Sequence, residues 1–144
     1  MSKTILFPTD FSDVSRKALN SIKEMQQSGV KKVILLHVVD QRSFEAMERY
    51  SDFHEMEQSI LEGAREELRA VADELAAEGL ETEVRVEVDI PVRKILEVEK
   101  EDSISMIVLG SHGKSNLEEM FLGSVSEKVA RKCKRPVLIV KRDS

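Results

Sequence analysis

Tryptophan is absent from this 144-residue chain, aromatics make up only 4% and cysteine occurs once, at Cys133. A single thiol excludes a disulfide framework, but a chain of this length can bury a core without one. No stretch approaches the roughly 18 uninterrupted apolar residues of a membrane span, so no membrane partner is expected. The opening MSKTILFPTDF is too short and too soon polar for a secretory signal, which makes cytoplasm the expected location. Basic residues number 22 against 27 acidic, for a net charge of −5. With no Lys/Arg stripe and no interleaved aromatics, nucleic acid is excluded as the expected partner. None of the histidines, His37, His54 and His112, has metal-ligand spacing. Two phosphate motifs are missing as well. GSHGKS places two residues, not four, between its first glycine and Gly-Lys-Ser, so it is no Walker A loop, and no G-x-G-x-x-G occurs.

What is present alternates. KTILFP (Lys3–Pro8), KKVILLHVV (Lys31–Val39), TEVRVEV (Thr82–Val88), ISMIVLG (Ile104–Gly110) and RPVLIVK (Arg135–Lys141) read as strands. All but the third are too apolar for a sheet with one wet face. Between them lie helical patterns. Ser12 reads as an N-cap, with Val14, Ala18, Leu19, Ile22 and Met25 on one face and Gly29 as the stop. Leu61, Ala64, Leu68, Val71 and Leu75 repeat at helical spacing over 53–77, closed by Gly79. Pro91 opens a short helix carrying Val92, Ile95, Leu96 and Val98. Val125, Val129, Ala130 and Cys133 stripe a last helix, which Pro136 ends. Strict β-α alternation, without repeats or linkers, predicts one α/β domain over residues 1–144 with an open parallel sheet. The stretch 41–52 reads either as an extension of the following helix or as a loop.

Ligands of such sheets sit beyond the carboxyl ends of the strands, where the strand order reverses. Two strand exits carry unusual chemistry, PTDFS (Pro8–Ser12) and VLGSHGKSNLEEMFLGSVSEKV (Val108–Val129). The second holds Gly110, Gly113 and Gly123-Ser124 in the spacing G-x2-G-x9-G-S. Glycines let backbone N–H groups approach an anion, and a helix starting at Ser124 would aim its free first-turn amides at it. Ser124 and Ser126 offer hydroxyl donors. Asp10 reads two ways, as a ligand for hydroxyl groups or, with Asp13 and Ser12, as a cap for the first helix. His37, inside an apolar strand, reads as a hydrogen-bonded core histidine.

G-x2-G-x9-G-[S/T] resembles the ATP-binding signature of the universal stress protein family. ILFPTDFS, VILLHVVD and RPVLIVK resemble that family's pattern too, in the same order and spacing over nearly the whole chain. The resemblance implies a five-stranded parallel sheet in the order 3-2-1-4-5, flanked by helices. It implies ATP, or ADP or AMP, as ligand. Asp10 would hold the ribose hydroxyls, with Pro8 and Thr9 beside the nucleoside. Val38 would meet the adenine edge through its backbone, and Leu109 and Gly110 would pack the base and ribose. Gly113, Gly123, Ser124, Val125 and Ser126 match the phosphate positions. It also implies a homodimer joined through the edge strand Pro136–Val140, which as an apolar sheet edge invites pairing.

Lys114 is the only cation in the tight loop, so Mg²⁺ or Mn²⁺ is expected with the triphosphate, held mainly by phosphates and water. No arginine finger and no water-orienting Gln or Glu stand out, which predicts a nucleotide-dependent switch with little turnover. A slow ATPase and an interaction module with incidental ATP are the alternatives. A phospho-receiver would need an acceptor such as Asp89.

Overall fold

The computed structural model describes residues 3–111 and 123–141. Five strands, β1 (Lys3–Pro8), β2 (Val30–Asp40), β3 (Glu81–Asp89), β4 (Met106–Gly110) and β5 (Val137–Val140), pair in parallel in the order 3-2-1-4-5. Strand periodicity builds two cores from one sheet, because successive side chains point to opposite faces. Ile5, Phe7, Val33, Leu35 and Val108 face one side, and Leu6, Ile34, Leu36, Ile107 and Leu109 face the other. All ten are 3% exposed or less. That is why these strands read as continuous apolar runs rather than as alternation.

Helices α1 (Asp13–Met25) and α3 (Phe53–Ala77) cover the first face, with Ala18, Leu19 and Ile22 from one and Leu68, Ala72 and Leu75 from the other. Helices α4 (Pro91–Val98) and α5 (Ser124–Lys132) cover the second, through Ile95, Val98 and Val129. The expected caps operate. Ser12 accepts a hydrogen bond from the Ser15 amide at 3.3 Å. Gly79, at φ 91°, closes α3 with its own amide on Ala76 O (2.9 Å) and the Leu80 amide on Leu75 O (3.2 Å), the doubly bonded turn that requires a left-handed residue.

The undecided stretch resolves into a separate helix. Asp40 caps α2 (Gln41–Met47) by accepting from the Arg42 amide at 3.0 Å. Phe44, 3% exposed, anchors the helix and meets Phe53 edge-on at 6.1 Å. A seven-residue helix with one buried side chain leaves too little periodicity to be read from sequence. Among the described residues, no helix is long and apolar enough to cross a membrane.

Ion pairs tie neighbouring elements together. Glu74 of α3 accepts from Arg16 (2.6 Å) and from Lys23, both on α1. These hydrogen bonds, Arg16 first and then Lys23, hold the Glu74 carboxyl below its ordinary range. Arg85 acts likewise on Glu83 and Glu101, and Arg42 on Asp40. A carboxyl depressed in the folded state contributes stability above its unfolded pKa, near about 4.3 for Glu, and loses it as pH falls through the folded value. Thermal melting should therefore show a lower Tm at pH 3 than at pH 7. Glu74→Gln should melt lower at pH 7 and lose less on acidification. An identical acid dependence in that variant would contradict the assignment.

Candidate functional site

β1 and β4 are neighbours, yet the chain leaves them towards opposite faces of the sheet. β1 leads into α1 on one face, and β4 leads on to α5 on the other. The diverging exits open a crevice at their carboxyl ends, the reversal point of the strand order. A cavity of about 320 Å³ lies there, within the range of small-molecule sites. Pro8, Thr9 and Asp10 line it from the first exit, and Val38 from β2. Leu109, Gly110, Gly123, Ser124, Val125 and Ser126 line it from the second. Gly113 lies outside the described residues, as do His112 and Lys114.

The first wall is a tightly bonded turn. The Thr9 amide donates to Leu36 O at 2.9 Å, and the Phe11 amide folds back onto Thr9 Oγ1 at 3.0 Å. Phe11 itself sits at φ 65°, a left-handed conformation rare for a bulky residue. Such strain persists only where the surroundings hold it. Asp10 performs part of the capping role read from its sequence context. Its Oδ1 accepts from the Ser12 amide (3.0 Å) and from Ser15 Oγ (3.2 Å), bracing the start of α1, although Ser12 is the N-cap. Its Oδ2 has no hydrogen-bond partner among the described residues, and the residue lines the cavity. A carboxylate so placed can accept from hydroxyls while the loop holds its other oxygen.

The second wall is the N-terminus of α5. Gly123 is its N-cap and supplies no side chain, and its amide donates to Ser111 O. The first bond of the helix runs from the Glu127 amide to Gly123 O at 2.9 Å. The amides of Ser124, Val125 and Ser126 therefore have no acceptor among the described residues, as at any helix start without a capping side chain. With the helix dipole, amides so placed suit an anion. Ser111, 2% exposed, links β5 to this wall because its amide also donates to Val140 O at 2.9 Å.

One expectation needs correction. Ser126 was expected to offer a hydroxyl donor, but its Oγ donates to Gly110 O at 2.6 Å. Its one hydroxyl hydrogen ties α5 to the end of β4, and what it offers the cavity is its backbone amide. The Ser124 hydroxyl has no such bond among the described residues.

His37 also differs from its sequence reading. It is hydrogen-bonded, with Nδ1 2.8 Å from Thr9 O, but it is half-buried and lines the cavity rather than the core. Its position next to Val38, at the carboxyl end of β2, was the available signal. Ser15, Leu36, Pro91 and Ile95 complete the lining. The last two lie on the apolar face of α4, where a helical stripe does not distinguish core from cavity wall. The described lining holds no lysine or arginine, and Asp10 is its only carboxylate. Asp89, the acceptor a phospho-receiver would need, ends the edge strand β3 away from the cavity lining. It is held by the Ile90 amide (2.6 Å) and Arg93 Nε (2.8 Å).

The family model described as the universal stress protein family matches residues 1–141. The chain belongs to the universal stress protein family. Its similarity to universal stress protein MJ0577 of Methanocaldococcus jannaschii is 35% identity, covering 99% of this chain and 96% of that one. YxiE of Bacillus subtilis is 36% identical, over 98% of this chain and all of its own. The solved structure of MJ0577 superposes with a TM-score of 0.89 at 37% identity, covering 100% of this chain and 99% of that one. A universal stress protein solved in complex with cAMP matches with a TM-score of 0.63 at 28% identity, over 97% of each chain.

Proposed function

We propose that this universal stress protein binds ATP in the cavity between Asp10 and the start of α5, as a nucleotide-dependent switch with little turnover. The observation that carries this reading is the opposition of two unsatisfied groups across one cavity. The free amides of residues 124–126 suit a phosphate tail, and Asp10 Oδ2 suits the ribose hydroxyls. Apolar Val38, Pro91, Ile95 and Leu109 provide surface for a base. The G-x2-G-x9-G-S spacing and the cAMP complex of a relative support an adenine nucleotide. Pro8, Thr9 and Gly110 complete the nucleoside side, and Gly123, Val125 and Ser126 the phosphate side, to which the glycine signature also assigns Gly113. Mg²⁺ or Mn²⁺ would be held mainly by phosphate oxygens and water. Among the described residues, no group of three His, Cys, Asp or Glu side chains is gathered to hold a metal.

The described lining supports low turnover. Hydrolysis needs an oriented water and positive charge at the γ-phosphate. The described walls supply neither an arginine nor a second carboxylate. Calorimetric titration with Mg-ATP should show one site per chain, and phosphate release should stay far below that of ordinary ATPases. Absence of binding removes the proposal, and steady turnover replaces a switch with an enzyme.

The same reading includes a homodimer formed through β5. That strand is the sheet edge beyond β4, and Leu138 on it is 37% exposed. Unpaired edges of this kind are satisfied by a second copy around a two-fold axis. Ile139→Lys should shift the protein from dimer to monomer in analytical ultracentrifugation. A wild-type protein that sediments as a monomer would remove this part.

A further inference from the structure

We infer that His37 is the positioning residue for Asp10: it fixes the peptide that aims the carboxylate into the cavity. This inference rests on the nucleotide reading of the site. Thr9 O belongs to the peptide bond joining Thr9 to Asp10. A carbonyl only accepts, so the 2.8 Å contact makes His37 Nδ1 the protonated nitrogen and the donor. Leu36, the preceding residue of β2, accepts the Thr9 amide at 2.9 Å. Residue 9 is thus gripped through both its N–H and its C=O by adjacent residues of one rigid strand.

The imidazole ring has a second contact. Its centroid lies 4.6 Å from that of Phe11, tilted by 36°. Phe11 is the residue in the left-handed conformation, and its placement turns the chain so that the Ser12 amide meets Asp10 Oδ1 at 3.0 Å. One side chain therefore secures the residues on both sides of Asp10. Asp10 Oδ2 has no partner among the described residues, while the residues on both sides of Asp10 are held. Without the Nδ1–H donor, Thr9 O can turn to water, and the Asp10 carboxylate loses its fixed direction without loss of the fold.

The test compares wild type with His37→Phe, which keeps a ring against Phe11 but has no donor, and with His37→Asn, which restores an N–H near Nδ1. The first measurement uses no nucleotide. Hydrogen exchange of the Phe11 and Ser12 amides should quicken by about tenfold in His37→Phe and recover in His37→Asn, the effect of losing one hydrogen bond. The second compares ATP with 2′,3′-dideoxy-ATP, which lacks the ribose hydroxyls. His37→Phe should weaken ATP by about tenfold and leave the dideoxy analogue nearly unchanged. In an Asp10→Ala background it should add nothing further, as coupled residues do. Unchanged loop exchange, or equal loss for both nucleotides, overturns the inference. A wild-type protein that binds no nucleotide defeats the proposed function instead, and the exchange measurement still decides whether His37 holds the loop.

Discussion

Aspartate in place of Ser124 is expected to lower Mg-ATP affinity by about a hundredfold while leaving the fold slightly more stable. Ser124 is the first residue of α5, and its side chain is exposed at the rim of the amides read as the phosphate site. A carboxylate there competes for those amides and repels the phosphates. Two unit charges about 4 Å apart repel by about 4 kcal/mol at an effective dielectric near 20. Salt and side-chain rotation reduce that towards the 2.7 kcal/mol or so of a hundredfold loss. The same charge complements the positive end of the helix, worth about 0.3–1 kcal/mol of stability. Calorimetry and thermal melting should therefore move in opposite directions, which simple misfolding cannot produce. Ser124→Ala, which keeps the amide, should retain most of the affinity. Undiminished affinity in Ser124→Asp would move the phosphates elsewhere.

The second large effect concerns a buried carboxylate far from the cavity. Glu99, 0% exposed, follows α4 and accepts from the backbone amides of Lys134 (3.0 Å) and Arg135 (2.9 Å), just ahead of β5. Arg135 returns the contact, with Nε donating to Glu99 O at 3.1 Å and the guanidinium reaching Glu101 O at 3.0 Å. The two segments latch each other by satisfying groups at the end of one helix and the approach to a strand. Glu99→Ala leaves both amides without an acceptor beside a small cavity. At about 1–3 kcal/mol per unsatisfied group, the loss should be about 3 kcal/mol, or about 10 °C in Tm. Glu99→Gln keeps one acceptor oxygen and should fall between. A shift of less than about 2 °C for the alanine variant would show that water replaces the carboxylate there. Cys133 sits beside this latch. Burial, followed by the charge of Glu99, pushes its thiol above the ordinary range, which disfavours the reactive thiolate.

Glu99 also marks the limit of what the sequence discloses. In VEKEDSIS it is one acidic residue among several, and nothing local distinguishes a buried carboxylate from a solvated one. Its partners lie 35 and 36 residues away, and no local pattern encodes that contact. The strands and long helices were legible because their determinants are local: apolar runs of strand length, helical stripes, and caps such as Ser12, Gly79 and Pro91. The strand order was not local information and came from family resemblance. Within the site, the glycine spacing pointed to the α5 amides because backbone geometry depends on residue type. The Ser126 hydroxyl was misread, since its bond to Gly110 O depends on how α5 docks against β4. His37 was read as a core residue because an apolar strand surrounds it. Its place at the carboxyl end of β2, where the 8–12 loop meets it through Thr9 O and Phe11, puts it in the cavity wall instead.

The most direct test of the account is a crystal structure grown in excess Mg-ATP. The account predicts phosphate oxygens within hydrogen-bonding distance of the amides of Ser124, Val125 and Ser126, and ribose hydroxyls on Asp10 Oδ2. Nucleotide bound at another place, or an empty cavity with those amides turned to protein acceptors, would contradict it.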